Sequence, residues 1–511
     1  MYCSEQHFET SSIFNAGSFN KASLSVQSDI EKPERSLGRH EVLAFACTLS
    51  MITYLDRVCF GTAASLLVQD LGLKGDSDLK WAFTAFAFAY AWFEIPSGWL
   101  GDAFGPKRTL IRIVIGWSIF TALTGLVGLK VGTLTLGGLG LLCLIRFLFG
   151  MAEAGAYPNL ARVVANWFPA EERGRAKGWI WMSGRFMGGA TPLIWTLLVA
   201  GSAFTAPLVS WRLAFVLFGT IGLVWCLAFS RRFKDHPVMP DGPVMPAGPV
   251  MPDGHALDHS TSKPVAAATL VVLAKGGHVL PWRLLLTTRS TWLLGLMYCC
   301  ASFSWYFNIT YISRYLETQH GVASTSISGA ILKGGPLLLG GVGCLIGGYW
   351  TDFLLRRFRR RCWARRIPAM IGHGLCGLCY LAVIQADSAW TAALAISLAA
   401  FSNDLMMGAA WATCQDIGQR HTAVVAGWMN MLGNFGGANS GWTIGTILEM
   451  SVASHAAAEQ VEVAALTNAA KQAALSNGYV CVFVAFTAVS FIAMFAWLFV
   501  NPEQPLEESH V

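Results

Sequence analysis

Apolar residues in this chain come in runs of about twenty, which as helix at about 1.5 Å per residue match a bilayer's hydrocarbon core. The runs fall at about 42–67, 81–101, 113–129, 134–164, 179–201 and 212–230, then at about 291–315, 326–351, 368–386, 391–412, 422–448 and 478–499. They predict an all-α membrane protein with twelve transmembrane helices, grouped as two six-helix halves. The expected domain boundaries are a polar, disordered cytoplasmic tail over 1–41, an N-terminal bundle over 42–230, a linker over 231–290, a C-terminal bundle over 291–499 and a short tail over 500–511. A further short surface helix is expected between Ser451 and Asn477, which is rich in Ala and Glu.

The linker is too long and hydrophilic for a membrane turn. It holds PVMPDG, PVMPAG and PVMPDG in succession from Pro237 to Gly254. Proline at two of every six positions bars helix and sheet interior, so this reads as a flexible spacer. The polar first forty residues lack a small-residue cleavage site after the first apolar run, which makes helix 1 an uncleaved signal anchor.

Composition supports the membrane reading: 54% of residues are hydrophobic, only 13% are charged, and the mean hydropathy is +0.49. The net charge of +6 does not point to nucleic acid, because the cations cluster beside span ends with no binding motif. Lys107, Arg108 and Arg112 follow helix 2; Arg173, Arg175 and Lys177 follow helix 4; Arg356, Arg357, Arg359, Arg360, Arg361, Arg365 and Arg366 follow helix 8. The opposite loops hold isolated cations such as Lys74 and Lys130. By the positive-inside rule, both termini and the linker are cytoplasmic. The thirteen cysteines lie mostly within apolar runs and read as small buried hydrophobes. No cofactor or metal is implied.

Two features carry chemistry. Arg146 and Glu153 lie seven residues apart inside an apolar run, so they project from nearly one helical face. A mid-membrane charge costs at least about 2.5 kcal/mol, so both should face a polar cavity or partners. The second feature is a repeat: GWLGDAFGPKR after helix 2, with Gly98, Asp102, Gly105, Lys107 and Arg108, and GGYWTDFLLRR after helix 8, with Gly348, Asp352, Arg356 and Arg357. Each glycine allows a close helix approach, each acid can accept from a neighbouring helix end, and the cations hold the inner face.

Twelve spans with this duplicated loop resemble the major facilitator superfamily over about residues 42–500. Arg146, Gly150, Glu153, Ala154, Pro158, Trp167, Phe168, Pro169, Glu172, Arg173 and Gly174, with Thr53 to Arg57 in helix 1, resemble its anion:cation symporter branch. The resemblance implies two pseudo-symmetric bundles around a central cavity and alternating-access symport of a carboxylate with protons in the cytoplasmic membrane. It implies proton coupling at Asp56 and Glu153 and substrate binding or gating at Arg57 and Arg146. Bottom-up, protonating either acid would free its arginine for a substrate carboxylate, while a permanent salt bridge is the competing role.

Tyr54, Tyr90, Arg185, Tyr311, Trp411, Asn430 and Asn434 are candidates to frame a sugar acid, since hydroxyl-bearing substrates need groups that both stack and hydrogen-bond. Packing or interfacial anchoring is the competing role for any one aromatic. Arg185, inside helix 5, either meets a second carboxylate, as in an aldarate, or pairs with Glu94 or Asp404. Expected partners are a small organic anion, protons and lipid, with no nucleic acid and no demand for more than a monomer. A membrane enzyme lacks its constellation here, with no HExxH or GxSxG. A drug antiporter would carry its GPxxGG-like element in helix 5, whereas Gly335, Pro336, Gly340 and Gly341 lie in helix 8. Transport of non-sugar carboxylates (tartrate, phthalate and other aromatic acids), and a nutrient sensor on the same fold, remain as alternatives.

Overall fold

The computed structural model describes residues 38–73, 76–131, 134–200, 207–236, 280–322 and 327–506. The N-terminal tail to residue 37, Lys74, and the PVMP repeats lie outside the described residues. Twelve long helical segments are present among them. In the first half they are α1 (Arg39–Thr62), α2 (Asp76–Phe104), α3 (Pro106–Thr124), α4 (Leu139–Glu153, continued by Ala156–Trp167), α5 (Arg173–Trp195) and α6 (Trp211–Arg232). In the second they are α7 (Arg289–Trp305), α8 (Ile327–Phe358), α9 (Arg361–Ile384), α10 (Ala389–Asp404, continued by Met407–Gly418), α11 (Thr422–Ala458) and α12 (Asn468–Trp497). The protein is a multi-pass membrane protein.

Contacts between helix ends show the up-and-down order. Arg39 at the start of α1 pairs with Glu172 before α5 at 2.9 Å, and the amide of Lys107 in α3 donates to Asp235 beyond α6 at 2.7 Å. Arg366 of α9 donates to Val500 O beyond α12 at 2.7 Å. These contacts define one end, which carries the cationic clusters. At the other end the Trp211 indole of α6 donates to Asp70, just beyond α1, at 2.8 Å.

Each outer helix buries one stripe and leaves the other face apolar. Trp92, Phe353, Leu378, Trp442 and Phe495 are all more than half exposed, as a lipid-facing surface requires. The most apolar windows of α6, α9 and α12 are 44% buried, against 78% for that of the 389–458 stretch, where the second segment of α10 and the first turns of α11 lie in the interior.

Several local expectations change. The run at 134–164 begins as a two-residue antiparallel pairing, Lys130–Val131 with Leu134–Thr135, and α4 starts only at Leu139. That helix breaks after Glu153, where Gly155 has φ +85° and packs against Ser97 of α2, with no room for a side chain between them. The Ser451–Asn477 segment holds no separate α-helix: α11 runs on to Ala458 and α12 starts at Asn468, with only a three-residue exposed 3-10 turn, Val463–Ala465, between them, and the Ser451 hydroxyl donates to Ala474 O at 2.7 Å. Lys177 and Arg365 do not lie in loops; both are fully buried within helices. Six of the described cysteines are buried, five half-buried and Cys481 exposed, none in a disulfide, including Cys376 and Cys379, which share a CxxC spacing inside α9.

Candidate functional site

The two halves of the repeat do the same work. Asp102, at the end of α2, accepts from the amides of Ala423 and Val424 in the first turn of α11, at 3.1 and 2.9 Å. Asp352, near the end of α8, accepts from the amides of Gly174 and Arg175 in the first turn of α5, at 2.9 and 2.8 Å. A carboxylate on unpaired first-turn amides is doubly favoured, by charge-assisted hydrogen bonds and by the helix dipole. Each bond set crosses from one bundle to the other.

The glycine four residues earlier lets the helices meet. A Cβ on Gly98 would lie 2.5 Å from Ala423 O, and one on Gly348 would lie 2.4 Å from Gly174 O. Gly105, with φ +90°, makes the turn into α3. Lys107 is half-buried and Arg108 exposed in its first turn, while Arg356 donates to Glu171 O at 3.0 Å. Buried Arg365 joins this end, 3.0 Å from Asp416 and 3.8 Å from Asp352. The bundles are therefore clamped at the basic end.

At mid-depth a cavity lies between the bundles. Its N-terminal wall is Tyr54 and Arg57 of α1, Tyr90 of α2, and Trp181 and Arg185 of α5. Opposite stand Tyr298, Ser302 and Trp305 of α7 with Tyr306 just beyond its end, Asn403 and Asp404 of α10, and Asn430 and Asn434 of α11. Two ion pairs mark it. Arg57 Nε donates to Glu153 Oε1 at 2.7 Å, and its guanidinium stacks 4.3 Å from the Tyr90 ring centroid. Arg185 donates to both oxygens of Asp404, at 2.9 and 3.2 Å, lies 3.9 Å from the Trp305 ring centroid, and donates to the Tyr54 hydroxyl. Asn430 donates to Glu94 at 2.6 Å and to the Tyr90 hydroxyl at 3.3 Å, which joins the bundles at this depth as the Arg185–Asp404 pair does.

The sequence-predicted residues separate into those in the cavity wall and those behind it. Tyr54, Arg57, Tyr90, Arg185, Asn430 and Asn434 line it. Glu153 touches it through Arg57. Asp56 is buried on the far side of α1, with Thr121 of α3, Glu153 and Arg146 around it. Arg146 does not pair with Glu153 as its spacing suggested. Its guanidinium sits among the rings of Phe60, Phe86 and Phe149, 4.1, 4.7 and 4.6 Å from their centroids. Arg146 and Glu153 both lie in the unbroken segment Leu139–Glu153, but the Glu153 carboxylate is taken by Arg57 of α1 instead.

Trp411 is fully buried below the cavity, packed with Tyr157, Trp181 and Tyr298. Tyr311 is half-buried toward the other end, donating to Gly441 O at 3.1 Å. The candidate set lacked Trp181, Tyr298, Trp305, Tyr306 and Asn403. In a sequence with 20 Trp and 11 Tyr, residue type alone could not select them.

A mid-depth polar cavity enclosed by two pseudo-equivalent six-helix bundles defines a membrane transporter rather than an enzyme. The chain belongs to the Major Facilitator Superfamily, whose family model matches residues 46–441. It is 30% identical over 400 residues to a Cupriavidus necator protein named "Probable sulfoacetate transporter", covering 78% of this chain and 84% of that one. It is 28% identical to a Bacillus subtilis "Probable galactarate/D-glucarate transporter" (78% and 83% covered) and 26% identical to an Escherichia coli "D-galactonate transporter" (82% and 90%). Among solved structures it shares its fold with the proton:xylose symporter XylE, at TM-score 0.63 and 13% identity over 91% of this chain and 96% of that one. It shares it also with a bacterial homologue of the lysosomal transporter Spinster, at 0.58 and 20% over 91% and 98%.

Proposed function

We propose that this protein is a proton-coupled symporter of an organic anion, a sugar acid such as a hexuronate, hexonate or aldarate, working by alternating access in the cytoplasmic membrane with both termini inside. The observation that carries this reading is the Arg57–Glu153 pair at the cavity wall. A half-buried arginine already satisfied by an acid releases its fork to a substrate carboxylate once that acid takes a proton. Asp56, buried one residue away, supplies a second carboxyl for the proton's route, and Arg146 holds positive charge beside both acids.

Tyrosine hydroxyls, asparagine amides and indole faces around the arginines suit the hydroxyls and carbon chain of a sugar acid. With the basic end clamped, substrate and proton meet the cavity from the other side. Rupture of the Asp102 and Asp352 contacts then opens the basic end. A proton crossing 100 mV contributes about 2.3 kcal/mol, enough to help concentrate an anion.

A second reading is a small anion without hydroxyls, favoured by the relative named for sulfoacetate. Uptake of labelled acids into vesicles holding the purified protein tests both. A sugar acid should accumulate when the outside is acidified, and a protonophore should abolish the accumulation. Binding without accumulation would indicate a sensor, and accumulation confined to small hydroxyl-free acids would favour the second reading.

A further inference from the structure

The two ion pairs differ in what they connect. Arg57 and Glu153 both belong to the first bundle, whereas Arg185 of α5 and Asp404 of α10 tie one bundle to the other at mid-depth. Both members of the second pair line the cavity and both are buried. The titratable groups around the Asp404 carboxylate are Arg185 and Tyr54 from the first bundle, Tyr298 of α7, Cys344 of α8, and Cys376 and Tyr380 of α9. Arg185 is the one cation among them.

The surroundings leave Asp404 able to change partner. The first segment of α10 ends at this residue and helix resumes at Met407, so its backbone is not held in a continuous ladder. Across from it Gly340 of α8 presents no side chain; a Cβ there would fall 2.7 Å from Asp404 Oδ2. On the other side, Tyr54 receives a hydrogen bond from Arg185 and stands three residues before Arg57, so one wall of one cavity presents both guanidinium groups.

Resting on the symport reading above, we propose that Arg185 and Asp404 form a second acid-exchange site, and that the cargo is a dianion. Its two acid groups engage Arg57 and Arg185, while Glu153 and Asp404 each take one proton. Two protons with two negative charges move no net charge. A displaced Asp404 left ionised would be a buried charge without a partner, so its proton must arrive with the second acid group. A monoacid satisfies Arg57 alone, leaves Arg185 on Asp404, and leaves the bundles tied. The pair would thus select diacids by making release of an interbundle bond depend on the second acid group.

The test uses galactarate and galactonate, a diacid and a monoacid of the same six-carbon skeleton, with the purified full-length protein in vesicles at zero membrane potential. Each coupled proton multiplies the limiting accumulation about tenfold per unit of pH difference, because tenfold is one unit of chemical potential on that scale. Wild type should therefore accumulate galactarate with a dependence of about 100-fold per pH unit and take up galactonate more slowly. Asp404→Asn should reduce the galactarate dependence to about tenfold. The double variant Arg185→Gln/Asp404→Asn, which leaves no unpaired charge, should show the same loss and favour galactonate. A tenfold wild-type dependence for galactarate, or an undiminished dependence in Asp404→Asn, overturns the proposal while leaving symport intact. Failure of wild type to accumulate either acid under a pH gradient overturns the symport reading and this inference with it.

Discussion

Asp352 and Asp102 lie 250 positions apart and make one contact twice, each accepting from two consecutive first-turn amides of a helix in the opposite bundle. This end is held by four such bonds, with Arg162 3.7 Å from Asp102 and Arg365 3.8 Å from Asp352 as flanking cations. Charge-assisted hydrogen bonds contribute about 1.5–3 kcal/mol each. Asp352→Asn can keep at most one good acceptor and loses its charge. It should shift the protein toward opening at the basic end. In a background without the other cysteines, Cys414, fully buried in the wild type, should react faster with a maleimide.

Gly348→Val tests the close approach rather than the acid. Its Cβ would lie 2.4 Å from the Gly174 carbonyl oxygen and 2.9 Å from its carbon, and backbone cannot move aside as a side chain can. Overpacking of this kind costs about 1–3 kcal/mol or more. The melting temperature of the purified variant should fall, and transport should fall further, since the clamp is what the substitution forces apart.

Glu153→Gln keeps the shape of the Arg57 partner and removes its proton exchange. Accumulation driven by external acid should be lost, while exchange of labelled for unlabelled substrate stays measurable. Unimpaired acid-driven uptake in this variant would take Glu153 out of the coupling role.

Lys177 is fully buried with its ammonium 4.5 Å from the Trp411 ring centroid and 3.5 Å from Tyr157 O. It has no carboxylate within ion-pair distance among the described residues. A buried charge without an acid is costly, and a flexible apolar chain of similar length fills the same space. Lys177→Met should therefore raise the melting temperature. A fall would indicate that the ammonium is more strongly satisfied than its neighbours suggest.

What could be read from the sequence depended on whether a signal was local or spatial. The twelve spans were legible because twenty-residue apolar runs have one explanation in a bilayer, and the Gly-x-x-x-Asp repeat because two copies fix its meaning. The shared face of Arg146 and Glu153 was legible because seven residues span two turns of the unbroken segment Leu139–Glu153. Which arginine holds the acid was not, because that depends on Arg57 of α1 and on the rings of Phe60 and Phe86 around Arg146, all far away in sequence. Lys177 and Arg365 misled because they sit in cationic stretches, where residue type alone suggests solvent. Trp305 and Tyr306 could not be chosen from their own residue types, since only the shared cavity between the bundles brings Trp305 over Arg185.

Gly174, Gly348 and Gly408, from α5, α8 and α10, meet with backbone against backbone: a Cβ on Gly408 would lie 2.6 Å from the Gly348 Cα and 3.1 Å from the Gly174 oxygen. Ordinary helix crossings interlock side-chain knobs, and to separate they must unmesh. A contact of three bare glycines has nothing to unmesh. It behaves as a plain bearing, offering little resistance to sliding or lift-off, so the resting position is set by the two hydrogen bonds of Asp352 beside it. The joint thus separates support from locking, and a small change at one carboxylate can free a large surface.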